Sequence, residues 1–317
     1  MGLLIKGQWH TNWYDTASHQ GEFIRQESQF RQWITPQSGP YPAAKNRYHL
    51  YVSLACPWAH RTLIFRHLKG LDDIISVSAV KPEMLEKGWE IDHHQQGPID
   101  DAKTIADVYI KNQPDYSGRV TVPILWDKQT NKIISNESAD IIRMLNHAFN
   151  ELTSIKTDYY PESLRPEIDQ INDFIYDRIN NGVYKVGFAT TQQAYEKHFA
   201  RLFKAFTEID HRLSQQRYLI GNIITEADWR LFTTLIRFDA VYVGHFKCNL
   251  KRIADFNHLQ HYLCDLYQQP GIATTTNFDH IKKHYYFSHD TINPSRIIPV
   301  GPELNFNLPH DRERFDV

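Results

Sequence analysis

Arg47-Tyr48-His49-Leu50-Tyr51-Val52-Ser53-Leu54-Ala55-Cys56-Pro57-Trp58-Ala59-His60-Arg61-Thr62 opens aromatic and β-branched and then turns helical. Residues 47–53 read as a short buried strand. Pro57 stands where a first helical residue would, Trp58, Ala59, Leu63, Ile64 and Leu68 recur at helical spacing, and Gly70 stops the run. Ile74-Ile75-Ser76-Val77-Ser78-Ala79-Val80 follows as a second strand. Strand, helix and strand in so compact an order predict a parallel βαβ unit. Cys56 falls at the joint between strand and helix, where unsatisfied N–H groups and the positive end of the helix dipole favour thiolate over thiol.

Downstream, residues 81–118 are polar and carry Gly88, Gly97, Pro98 and Pro114, which predicts an insertion over one end of the sheet with a short helix near Ile105 to Ile110. Val120-Thr121-Val122-Pro123-Ile124-Leu125-Trp126 and Lys132-Ile133-Ile134-Ser135 read as two further strands joined by a tight hairpin. Asn136 is placed to cap a helix with the apolar stripe Ile141, Ile142, Leu145, Ala148 and Phe149. From Pro161 the pattern is helical. Ile168, Ile171, Ile175 and Ile179 form a stripe ending at Gly182. Phe199, Leu202, Phe206, Ile209 and Leu213 form another after a Thr190 to Gln193 capping box. Thr225-Glu226-Ala227-Asp228 opens a helix running to about Val243, with weaker helical patterns near 255–269 and 277–287. The expected organisation is an N-terminal extension (1–44), an α/β domain (45–155) containing the insertion 81–118, an all-α domain (156–289) and an extended Pro-rich tail (290–317).

The 317 residues suffice for two domains, each with its own core. With 35 basic against 37 acidic residues, net charge −2, no electrostatic excess points to nucleic acid or an anionic membrane. The N-terminus lacks a signal-peptide apolar region and no stretch approaches a membrane span, so a soluble cytoplasmic protein with a small-molecule or protein partner is expected. Cys56, Cys248 and Cys264 cannot all pair and have no zinc-type spacing, as a reducing compartment allows. Ala59 stands three residues after Cys56, so no adjacent thiol can resolve an intermediate there; an external thiol must. Cys248 and Cys264 read as structural. His280 and His284 are spaced as in HExxH, but Ile281 and Lys282 replace the general base and spacer. His245 with Cys248, His258 with His261, and His93-His94 are equally incomplete sets, so no metal is expected. Thr121-Val122-Pro123 entering a strand suits an exposed backbone, and Glu137-Ser138 at a helix start suits either capping or a ligand.

Strand, Cys-Pro-x-Ala helix, strand, Val122-Pro123, Glu137-Ser138 and the helical-domain stretch Gly221-Asn222-Ile223-Ile224-Thr225-Glu226-Ala227-Asp228 together resemble a cytosolic glutathione transferase with a thioredoxin-like first domain. Within that superfamily, residues 53–62, Ser117-Gly118-Arg119-Val120-Thr121-Val122-Pro123, Asn180-Asn181-Gly182-Val183-Tyr184-Lys185 and Asn293-Pro294 resemble the glutathionyl-hydroquinone reductases, the Xi class. The likeness runs from Gly7-Gln8-Trp9-His10 almost to the C-terminus.

The resemblance implies the glutathione transferase fold, an α/β thioredoxin-like N-terminal domain plus an all-α C-terminal domain, in a homodimer. It implies Cys56 as nucleophile on a glutathionyl sulfur, Tyr184 as the acid for the departing ring, and Tyr242 and Tyr285 as donors that lower the thiolate pKa. Glutathione, a co-substrate with no permanent cofactor beside it, is expected over Trp89, Arg119, Val120, Thr121, Val122, Glu137 and Ser138. By local sequence alone Tyr184, Tyr242 and Tyr285 read as packing residues. An Omega-like thioltransferase would also use Cys56 but would not need these tyrosines. A non-catalytic glutathione-fold binding module would not need the thiolate.

Overall fold

The computed structural model describes residues 2–95 and 97–315; Met1, Gln96, Asp316 and Val317 lie outside them, as does the side chain of His93. Two units emerge. The first is Met1–Trp13, Gln26–Asp158 and Thr275–His284; the second is Tyr14–Arg25, Tyr159–Thr274 and Tyr285–Val317.

In the first unit, β1 (Leu3–Ile5) and β2 (Gln8–His10) form a hairpin whose two central residues, Lys6 and Gly7, have φ of 49° and 76°. Such a turn needs positive φ twice, which glycine adopts without strain. Then come β3 (Tyr48–Val52), α1 (Pro57–Leu68), β4 (Ser76–Leu85) and β5 (Gly88–Ile91). After them follow α2 (Ile105–Asn112), β6 (Gly118–Arg119), β7 (Ile124–Asp127), β8 (Lys132–Ser135) and α3 (Ser138–His147). One sheet has the order β5-β4-β3-β7-β8 and a smaller one the order β2-β1-β6. β3 and β4 run parallel, as the βαβ order requires; β3 with β7 and β7 with β8 run antiparallel. All five residues of β3 are buried, which accounts for its unbroken apolar and aromatic run. Asp127, at the end of β7, receives Arg47 Nε and Nη2 at 2.9 and 2.6 Å and the Thr130 hydroxyl at 2.8 Å.

Several local expectations change. Residues 81–118 are not only a cover: Met84, Trp89, Ile91, Ile105, Val108 and Tyr109 are buried in the same core as Tyr51, Val80 and Ile124, because β4 runs on to Leu85 and pairs with β5. The strand expected over 120–126 starts only at Ile124, after Pro123, whose missing N–H suits a strand entrance. Asn136 does not cap α3. Glu137 does, through Oε1 accepting from Ala139 N at 3.0 Å, while Asn136 Oδ1 accepts from Phe30 N and Nδ2 donates to Tyr109 Oη.

The second unit contains α4 (Arg165–Ile175), α5 (Gly182–Gly187), α6 (Gln192–Gln215), α7 (Glu226–Arg237) and α8 (Asn257–Tyr267). A further helix, α9 (Phe278–Ser288), begins among residues of the first unit and ends among those of the second. Gly182 does not stop the chain's helical course; a π-helical turn at Tyr176–Asn180 precedes it and α5 begins at it. Thr191, rather than Thr190, caps α6, accepting from Ala194 N. At the start of α7 the Asp228 carboxylate accepts from Thr225 N, Thr225 Oγ1, Leu219 N and Tyr262 Oη, all within 3.1 Å. This pins the loop before α7 to α8.

Candidate functional site

Cys56 is the N-cap of α1, with φ −76° and ψ 123°, and Pro57 follows as the first helical residue. Its N–H donates to Ser53 O at 3.1 Å, and its own carbonyl takes the first helical hydrogen bond, from His60 N at 2.9 Å. The backbone on both sides is thereby fixed, and the sulfur of this partly buried residue lies beside the positive end of a helix of twelve residues. The thiol Sγ reaches Val122 O at 3.6 Å, and the Val122–Pro123 peptide is cis. Arg61, one turn along, lies over the Trp58 ring at 4.6 Å and extends Nη1 to Ser138 Oγ at 3.4 Å.

The structure thus brings together Cys56, Val122 and the start of α3 in the first unit. Glu137 is occupied on both oxygens: Oε1 caps α3 and Oε2 accepts from Ser28 Oγ at 3.0 Å. Thr121 is held from three sides by Tyr109 Oη, which contacts its N, O and Oγ1 between 3.1 and 3.3 Å. Val120 is buried behind it. Arg119 donates from Nη1 and Nη2 to Asn12 O and Trp13 O at 2.6 and 2.8 Å. Trp89 is buried and stacks on His284 with ring centroids 4.7 Å apart.

The second unit assembles the three tyrosines. Tyr184 comes from α5, Tyr242 from the π turn after α7, and Tyr285 from α9. Tyr285 Oη lies 2.6 Å from Tyr184 Oη and 3.0 Å from Tyr242 Oη. All three are buried. Burial, and next the neighbouring Tyr184 phenol, pushes the Tyr242 and Tyr285 hydroxyls well above the ordinary tyrosine range. Both therefore stay protonated at neutral pH and serve as donors. Tyr285 shares one hydrogen bond with each of the other two phenols, so the three hydroxyls form one connected chain. Phe246 stacks on Tyr242 at 5.4 Å and fits against the backbone of Gly187, where a Cβ would meet its ring at 2.2 Å.

The glutathione S-transferase N-terminal domain matches residues 55–148 and the C-terminal domain matches residues 192–263. A glutathionyl-hydroquinone reductase of Escherichia coli K12, YqjG, is 54% identical over 324 residues, covering 99% of each chain. The chain belongs to the glutathionyl-hydroquinone reductase (Xi-class glutathione S-transferase) family. The glutathione-bound YqjG structure superposes with a TM-score of 0.90 at 50% identity, covering 98% of this chain and 99% of that one. A glutathione S-transferase Xi from Phanerochaete chrysosporium superposes with a TM-score of 0.88 at 50% identity, over 92% and 96%. A Schizosaccharomyces pombe protein named glutathione S-transferase omega-like 2 is 46% identical over 93% of this chain and 98% of its own.

Residues that the sequence reading passed over support both constellations: Tyr109, Arg61 and Ser28 around the first, Phe246 and Phe188 around the second. Tyr109 lies on the apolar stripe of α2 and carried no sign beyond that. Of the remaining thiols, Cys248 and Cys264 are buried, and burial pushes the Cys264 thiol up to about 11. Among the described residues no group of three or more His, Cys, Asp or Glu is arranged to hold a metal ion. His245 Nε2 bonds His289 Nδ1 at 3.0 Å, and His284 Nδ1 bonds Pro82 O at 3.0 Å. No described helix is long and apolar enough to cross a membrane.

Proposed function

We propose that this protein is a glutathione-dependent reductase of glutathionyl-hydroquinones. The observation that carries the reading is the near full-length likeness to a reductase of that name, with Cys56 at a helix N-terminus and no thiol three residues on. The Cys56 thiolate attacks the glutathionyl sulfur. A Cys56–glutathione S–S bond forms, the aryl C–S bond breaks, and its electron pair goes to the ring carbon. That carbon must take up a proton to become the hydroquinone C–H, and Tyr184 supplies it, directly or by ketonising the ring beforehand. Tyr242 and Tyr285 donate hydrogen bonds that favour the thiolate. A second glutathione thiolate then attacks the glutathionyl sulfur of the mixed disulfide, giving glutathione disulfide and restoring Cys56.

Glutathione is a co-substrate here, with no permanent cofactor. Its cysteinyl backbone pairs with Val122, lying over Val120 and Thr121. Its γ-glutamyl ammonium and carboxylate meet Glu137 and Ser138 at the N-terminus of α3, and Arg119 or Trp89 holds the glycyl end. The protein acts in the cytoplasm as a homodimer.

The decisive experiment supplies glutathionyl-hydroquinone plus glutathione and follows hydroquinone and glutathione disulfide in parallel. Equimolar formation of both, lost in Cys56→Ala, is expected. No turnover, or turnover that survives Cys56→Ala, overturns the reading. The omega-like name of the fission-yeast relative favours a second reading, a general thioltransferase. That reading predicts reduction of simple glutathione mixed disulfides without activity on the aryl thioether.

A further inference from the structure

Tyr14–Arg25 precedes the first strand of the larger sheet by more than twenty residues, yet it belongs to the helical unit. It is tied there at several points. Thr190 N donates to Gly21 O and Thr191 Oγ1 to Gln20 O, each at 3.0 Å, and Thr190 Oγ1 meets Thr16 Oγ1 at 3.0 Å. Glu22 accepts from Lys197 Nζ at 2.7 Å and meets His198 Nε2 at 3.2 Å. Gly21 has φ 86° and approaches Thr191 so closely that a Cβ would lie 2.5 Å from its hydroxyl. The strap therefore has one register on α6.

That register delivers two side chains to Tyr184. Phe23 packs edge-on against Phe188 at 5.3 Å and lies 6.4 Å from the Tyr184 ring. Arg25 places its guanidinium carbon 5.0 Å from the Tyr184 ring centroid, over its face, while Nε donates to Asn181 Oδ1 at 3.0 Å. Asn181 is the residue from which α5 starts. One side chain thus holds both the start of α5 and the ring three residues further along it. The attraction of a cation for a ring face is directional, so it restrains the tilt and position of the ring. The ring's orientation in turn decides where its hydroxyl lies relative to Tyr285, 2.6 Å away.

We propose that Arg25 is a positioning residue for Tyr184, clamping ring and helix start together, so that the 14–25 strap is part of the machinery that releases the aromatic product. The inference rests on the proposed acid role of Tyr184. It also assigns the strap a specific work within the helical unit.

The test compares Arg25→Met, which keeps an apolar stem but no charge, with Arg25→Lys. Each is assayed on glutathionyl-hydroquinone and on a simple glutathione mixed disulfide. In Arg25→Met, kcat on the thioether should fall roughly 10-fold, the scale of one partly buried cation–π contact, with KM and mixed-disulfide turnover within about 2-fold. Arg25→Lys should recover part of the loss. Equal losses on both substrates, no loss, or no recovery by lysine would overturn the clamp. In parallel, the Tyr184 ring resonance, assigned in ¹³C-tyrosine-labelled protein by its absence from Tyr184→Phe, should shift in Arg25→Met, and an unmoved resonance also overturns it. Should the unsubstituted enzyme itself fail on the thioether, the proposed function falls, and the ring resonance alone decides the clamp.

Discussion

Cys56 is held by its immediate chain neighbours, Ser53 behind it and His60 ahead, and Val122, 66 residues away, is a long-range contact at its sulfur. Tyr285 is held in the opposite way: its hydroxyl meets groups 101 and 43 residues distant in sequence, on separate helical segments. The first arrangement is a property of how a strand passes into a helix and needs little beyond that passage. The second exists only once several helices have packed to a common register. The backbone at Cys56 therefore depends mainly on local geometry, and the tyrosine cluster depends on helix packing. Substitutions that loosen packing should separate the two.

The largest effects should come from the buried carboxylates that anchor each unit. Burial by itself would raise the Asp127 carboxyl, but hydrogen bonds from Arg47, Thr130 and Gln129 outweigh it and hold it below the usual range. Asp127→Ala strands a buried Arg47 and should cost about 3–5 kcal/mol. Asp228→Ala removes the acceptor for Leu219, Thr225 and Tyr262 in the helical unit and should cost a comparable amount. Denaturant unfolding measures both, and a loss below about 1 kcal/mol in either would show that its unit is not anchored there.

A second pair of groups sharpens the comparison through pH. In each unit one buried histidine has its pKa pushed far down and is neutral in the fold: burial lowers His49 to about 3 and His245 to about 4. Their folded values lie below the unfolded value, so the unfolded chain binds more protons across the interval between. Stability is therefore complete above about pH 6.5 and falls as pH drops toward 4, by roughly 3 kcal/mol for each histidine. His49→Gln and His245→Gln should each flatten the unfolding free energy between pH 6.5 and 4 relative to the parent. Parallel pH curves for variant and parent would refute the assignment.

The smallest of these effects addresses the chemistry itself. Tyr184→Phe should lower turnover of the aryl thioether by about 100-fold, the ordinary worth of a general acid, while a simple mixed disulfide, whose leaving thiolate needs no ring protonation, is reduced at nearly the parental rate. Steady-state assays on the two substrates measure the ratio. Equal losses on both would erase the division of labour between the two constellations.

Legibility in the sequence follows the same division. The βαβ order, the hairpin from β7 to β8 and the cap position of Cys56 could be read directly, because periodicity and capping act within a turn or two of chain. Asn136 and Glu137 mark the resolution of that reading. Adjacent residues can both cap, and Tyr109, arriving from α2, engages Asn136 and leaves Glu137 for the helix. Gly182 misled for a related reason: a glycine after an apolar stripe signals a helix end, but the π turn before it lets the helical course resume and carry Tyr184 inward.

The amino-acid order by itself determined the strand-to-helix passage at Cys56 and the lack of a resolving thiol, since both concern residues a few positions apart. It also carried a family likeness, which lent roles to tyrosines whose own neighbourhoods were silent. Only the tertiary structure decided that three tyrosines share two hydrogen bonds, that Arg119 and Trp89 are engaged by Trp13 and His284, and that Arg25 lies over Tyr184. Each of these depends on side chains meeting across packed elements, and no periodicity along one segment encodes which ring or guanidinium a distant segment will bring to it.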